Sequence, residues 1–130
     1  MPINLALFTG VAGAIDRKLK QWDIVISDSV MQHDMDVRPI FEKYVIPAIN
    51  NQKIFTNKLI INSVFNSLNK KLREEKLKKF STLIKGLIAT GDKFISEKQK
   101  IKELSKEIVG LLAVEIGGAA FAQVVPFKKA

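Results

Sequence analysis

The chain has no cysteine among its 130 residues. That excludes a disulfide scaffold, a thiol nucleophile and thiolate metal ligation. It has 1 Trp, 1 Tyr and 1 His, the last being His33. A single imidazole supplies no His pair for a metal and no evident triad. Phosphate-loop and dinucleotide fingerprints are missing as well. The glycines of "TGVAGA" are followed neither by Lys-Ser/Thr nor by a third spaced glycine. No basic residue precedes the apolar run at the start, so no signal peptide is expected. There is no internal repeat, no low-complexity tract and no Gly/Ser linker.

What is present fits one folded domain: 47% hydrophobic and 26% charged residues, with a net charge of +8. The positive charge is uneven. Residues 1–50 are close to neutral, and the excess sits between 51 and 110. It is nearly all lysine, a hydrated point charge more typical of a solvated helix face than of a specific phosphate fork. The segment "NKKLREEKLKK", Asn69 to Lys79, holds the densest cluster. Lys70, Lys71, Arg73, Lys78 and Lys79 are its candidates for phosphate contacts. Glu74 and Glu75 interrupt it and no aromatic residue interleaves, so the signal is for non-specific binding at most.

Periodicity points to an all-α fold, with three or four helices, a long central one and an elongated or bundle-like shape. Ile15, Leu19, Trp22 and Ile26 step by four and three, which predicts a helix over 3–36. "WDIVIS" alone reads as a short strand, but its neighbours continue the helical step. Pro39 and Pro47 bound a connector. A long helix is then expected from Pro47 to Thr90, with a slip in its stripe between Leu72 and Leu77. Gly91 and Asp92 suit a helix C-terminus followed by an N-cap. Phe94, Ile101, Leu104, Ile108 and Leu111 mark a last helix, expected to stop or kink at Gly117 and Gly118. The domain is thus 1–130, a single helical unit with apolar terminal segments 3–15 and 108–125.

The stretch Ile108 to Val125 is long enough for a membrane span. Glu115 near its middle argues against one, at a cost of roughly 2.5–3.5 kcal/mol for an unpaired acid. Small residues four apart, Ala113 with Gly117 and Gly118 with Ala122, instead suit close helix packing. Leu5, Phe8 and Val11 at one end, and Leu112, Ile116, Gly117, Gly118, Phe121 and Val125 at the other, are the candidate residues for packing against other subunits. Among polar tracts only "SDSVMQHDMD", Ser27 to Asp36, gathers groups of a catalytic or metal-ligating kind: His33, Asp34 and Asp36. On a helix, adjacent residues diverge by about 100°, so the tract reads as a polar helix end. No catalytic residue, metal or cofactor is expected.

The opening "LALFTGVAGAIDRKLKQWD", apolar and small and then abruptly charged, resembles the start of small helical structural proteins of tailed-phage virions. That resemblance implies a virion component that assembles with other copies or proteins. The expectation is therefore a non-enzymatic structural or assembly protein, located in the virion or otherwise in the cytoplasm, that forms a homo-oligomer or packs on other structural subunits. Two alternatives stand beside it: a basic helical protein that binds nucleic acid non-specifically, and a membrane-active protein using residues 108–125.

Overall fold

The computed structural model describes residues 5–93, 95–119 and 122. It overturns the all-α expectation. Among the described residues, seven elements follow in chain order: β1 (Gly13–Ala14), β2 (Ile24–Gln32), β3 (Ile54–Phe55), α1 (Lys58–Arg73), β4 (Leu83–Thr90), α2 (Lys98–Glu107) and β5 (Leu111–Glu115). The strands form one five-stranded sheet in the order β1-β5-β4-β2-β3. The three central strands β2, β4 and β5 are parallel, and the short edge strands β1 and β3 pair antiparallel. The fold is therefore mixed α/β, with crossover helices between parallel strands.

Each part of the helical reading has a specific correction. The helix expected over 3–36 is β1, a turn and β2. Ile24, Val25 and Ile26 supply the β-branched density that a strand accepts and a helix disfavours. The long helix expected from Pro47 to Thr90 is β3, α1 and β4. Only Lys58–Arg73 is helical, capped by the Asn57 side chain, which accepts from the backbone N of Leu59 at 2.9 Å and of Ile60 at 3.3 Å. The stripe slip after Leu72 falls where α1 ends, and Glu75 turns the chain in the left-handed region with φ 59°. The helix expected to run on to Gly117 and Gly118 ends at Glu107. Gly110, at φ +82°, reverses the chain so that Leu111 begins a strand. Ala113 and Gly117 therefore share no helix. Of the apolar segment 108–125, residues 120, 121 and 123–125 lie outside the described residues.

Strand order fixes where the helices lie. The chain steps from β2 to β4 to β5 in one direction across the sheet. Right-handed crossovers then put both helices on the same face. The contacts agree. From that face, Lys85 of β4 reaches Asn62 Oδ1 of α1 at 3.3 Å, and its ammonium lies 4.7 Å from the Phe65 ring centre. Two and four residues further along the same face, Leu87 and Ala89 pack in one cluster with Leu104 and Ile108 at α2, and with Met31, Leu111 and Val114. Leu104 is 1% exposed. Burying it contributes about 2 kcal/mol.

Two strands carry an extra residue against β4. Asp28 is skipped between Ser27 and Ser29, and Leu112 between Leu111 and Ala113. These bulges keep Ser29, Met31 and Val114 on the helix face while Gln32, Thr90 and Glu115 face the other way. On one side of the sheet, residues 33–53 form a connector that is latched to α2. Lys43 Nζ meets Glu107 Oε1 at 3.1 Å, and the Tyr44 hydroxyl donates to the same carboxylate.

Candidate functional site at the carboxyl ends of the parallel strands

In open α/β sheets, ligands bind outside the carboxyl ends of the parallel strands, where the connecting loops begin. In this chain those ends are Gln32–His33, Thr90–Gly91–Asp92 and Glu115–Ile116–Gly117. The backbone ladder holds them side by side: His33 N donates to Thr90 O at 2.9 Å, and Gly91 N donates to Glu115 O at 3.2 Å.

The Glu115 carboxylate is firmly placed. It accepts from the Thr90 hydroxyl at 2.5 Å and from Gly118 N at 2.9 and 3.1 Å. Thr90 Oγ1 in turn accepts from Ala119 N at 2.8 Å. A methyl group at Gly118 would lie 2.6 Å from Glu115 Oε1, so glycine here lets the carboxylate keep its place. Gly117 adopts φ +112°, and the Phe8 ring closes on it at 3.4 Å from where a Cβ would stand.

On the other side of β4, the His33 ring packs against Gly91. A methyl group at Gly91 would approach His33 Cε1 to 2.2 Å and Nε2 to 2.3 Å, so any larger residue there displaces the ring. His33 Nε2 is buried and meets no partner among the described residues. Such an atom costs about 1–3 kcal/mol when nothing hydrogen-bonds it. Burial pushes the His33 pKa below its ordinary 6.5, and the Lys100 charge adds to that; Asp34, Asp92 and a backbone hydrogen bond oppose it. The ring is therefore neutral at pH 7. Asp34 Oδ2 accepts from Asp92 N at 2.9 Å, fixing the start of the loop after β4. Asp36 turns away to a two-point contact with Arg38, at 2.8 and 2.7 Å, which lowers its pKa to about 2.

The polar tract singled out in the sequence is thus split. His33 and Asp34 belong to the strand-end cluster and Asp36 does not. Among the described residues no three His, Asp or Glu side chains converge as a metal-binding set. Glu115, Thr90 and Gly91 were not among the residues picked from the sequence. Of the packing candidates, Leu5, Phe8, Val11 and Ile116 are exposed, Leu112 lies over Gly86, and Gly117 and Gly118 shape the cluster. Phe121 and Val125 lie outside the described residues. Lys70, Lys71 and Arg73 sit in the last turn of α1, and Lys78 and Lys79 in the loop after it. No helix among the described residues is long and apolar enough to cross a membrane.

Two open grooves lie elsewhere, on the helix face. We place the functional site at the strand ends in spite of them, because polar groups from three separate strands converge there. Comparison with known proteins supports the same type of sheet. A 5'-methylthioadenosine/S-adenosylhomocysteine nucleosidase of Haemophilus influenzae strain PittEE is 34% identical over 130 residues, covering 95% of this chain and 53% of the relative. In a solved nucleosidase of that name from Colwellia psychrerythraea, in complex with adenine, identity is 30% and the TM-score 0.73, covering 93% of this chain and 48% of the other. Futalosine hydrolase of Helicobacter pylori, as a mutant, matches at 30% identity and TM-score 0.70, covering 93% and 51%. The chain spans about half the length of these relatives. These matches overturn the expectation of a non-enzymatic virion protein and the resemblance to phage structural proteins, and they leave the virion location without support. They overturn equally the nucleic-acid-binding helical protein and the membrane-active protein as descriptions of the chain. The sequence model of the phosphorylase superfamily matches residues 2–125, and the chain belongs to that family.

Proposed function

We propose that this chain forms the strand-end part of a nucleosidase site for a purine nucleoside such as 5'-methylthioadenosine or S-adenosylhomocysteine. The names of the similar proteins support this reading. The observation that carries it is the cluster itself: a neutral, half-buried His33 whose buried Nε2 has no partner among the described residues, flanked by Asp92 and by the tightly held Glu115. Hydrolysis breaks the bond between the anomeric carbon and the base nitrogen. Water adds its oxygen to the carbon, and the base leaves with a proton. Positive charge builds on the sugar in the transition state, and nearby carboxylates stabilise it.

In this reading the His33 ring turns from Gly91 so that Nε2 meets a polar atom of the nucleoside, and that contact offsets the cost of leaving the atom unpartnered. Thr90 and Glu115 position the loop that follows β5. Since the chain spans about half the length of its relatives, the reading gives it a share of the pocket. A cytoplasmic location goes with the same reading. Self-association through the apolar ends is a separate proposal, tested by native mass in solution.

The test is addition of 5'-methylthioadenosine to the purified chain, following both the thermal midpoint and release of adenine. The expected result is a rise in midpoint that His33→Ala abolishes while its circular dichroism stays native. A folded chain that neither shifts with the nucleoside nor releases adenine would overturn the reading.

A further inference from the structure

We propose that the helix face of the sheet is a docking surface for an acidic, partly apolar polypeptide segment. This does not rest on the nucleosidase reading. Two grooves open on that face. One, of about 790 Å3, runs between the β1–β5 edge and α2. Its rim carries Arg17, Lys18, Lys98, Lys102 and Lys106, and Asp16 is the one acid lining it. The other, of about 590 Å3, lies between α1 and the strands β2 and β4. It carries Lys53, Lys58 and Lys85, with Asp28 as its acid. Gly110 lines both, so the two grooves adjoin.

No groove cation is in an ion pair among the described residues, although Lys85 is engaged by Asn62 Oδ1 at 3.3 Å and by the Phe65 ring at 4.7 Å. The ion pairs among the described residues are Arg38–Asp36, Lys43–Glu107, Lys70–Glu74 and Lys76–Glu74, none of which involves a groove residue. Soluble surfaces usually intersperse both signs, and a single-sign patch steers a partner of opposite charge. The densest lysine cluster in the sequence lies outside both grooves. Part of it is already engaged, with Lys70 3.9 Å from Glu74 and Lys79 5.7 Å from the Trp22 ring centre.

Seven of the eight cations of the patch are lysines, which attract carboxylates and phosphates alike, so the apolar residues between them decide the class of partner. Where the grooves meet, Val109 is 85% exposed, and Phe55 in the second groove is 70% exposed. An aliphatic side chain such as Val109 is covered by Leu or Ile of a peptide. A strand of nucleotides needs successive aromatic platforms, and the grooves hold one.

The experiment uses the full chain and two fluorescent probes: a peptide of alternating Glu and Leu pairs, and a poly-dT oligonucleotide. Anisotropy is expected to show saturable peptide binding that weakens as salt is raised. Lys102→Glu with Lys106→Glu should weaken it by roughly tenfold, and Val109→Asp should weaken it as well. Lys78→Glu with Lys79→Glu should leave it unchanged. All of these sites are exposed, and circular dichroism confirms that each variant is folded. The proposal fails if the folded chain does not bind the peptide, if the Lys78 and Lys79 reversals weaken it equally, or if poly-dT binds more tightly through Lys102 and Lys106.

Discussion

The hydroxyl of Thr90 and the carboxylate of Glu115 meet at 2.5 Å across the ends of two adjacent parallel strands. Thr90 is 4% exposed and its oxygen also accepts from Ala119 N. One side chain thus joins the end of β4, the end of β5 and the turn beyond. Thr90→Val keeps the shape but strips Ala119 N–H of its acceptor and Glu115 of a donor. It should destabilise the fold by about 1–3 kcal/mol. Thr90→Ser keeps the hydroxyl and should retain most of that stability. Urea midpoints of the two variants check this. Equal losses would show that the hydroxyl contributes little.

Gly91 and His33 are expected to be strongly coupled. Gly91→Ala drives a methyl group into the imidazole and should cost about 1–3 kcal/mol through overpacking. His33→Ala removes the obstacle. The double variant Gly91→Ala with His33→Ala should therefore be more stable than the sum of the single losses predicts. A double-mutant cycle from denaturant unfolding measures it, and strict additivity would mean that the ring can swing clear of Gly91.

The pH dependence follows from the same histidine. Its pKa is 6.5 when unfolded and lower when folded. Between those two values the unfolded chain binds a proton that the folded chain does not. The contribution of His33 is thus fully present above pH 6.5 and is lost as pH falls through the folded value. Asp36 and Glu107 act at lower pH, since their pKa values are depressed below 3.8 and 4.5. Midpoints measured from pH 7.5 downward should fall first in the His33 window, and His33→Gln should remove that first decline. A variant with an unchanged profile would assign the decline to another group.

Local features were readable in the sequence where they depend on near neighbours. The face of α2 made by Ile101, Leu104 and Ile108 is the stripe that periodicity picks out, and Leu104 is its most buried member. The end of α1 falls where the stripe slips. The strands were hidden by their bulges. A regular strand repeats its buried side every two residues. With Asp28 and Leu112 inserted, the buried residues Ile26 and Ser29 stand three apart, as do Leu111 and Val114. That spacing imitates a helical step, and "WDIVIS" follows Ile15, Leu19 and Trp22, which themselves step by four and three. The site was less legible still. Glu115 looked like an obstacle in an apolar stretch, because its partner Thr90 is 25 residues away. His33 was weighed against its sequence neighbours Asp34 and Asp36, whereas the residue that shapes its environment is Gly91.

The latch from Lys43 and Tyr44 to Glu107 has a mechanical consequence. Glu107 ends α2, where a negative charge opposes the helix dipole, and Lys43 compensates for it. The stretch that follows His33 is thereby strapped to the helix that feeds β5. Fraying at the tail of α2 loosens the strap, and slack in the strap exposes the tail. The strap therefore joins the stretch after the end of β2 to the approach to β5, across 64 residues of chain.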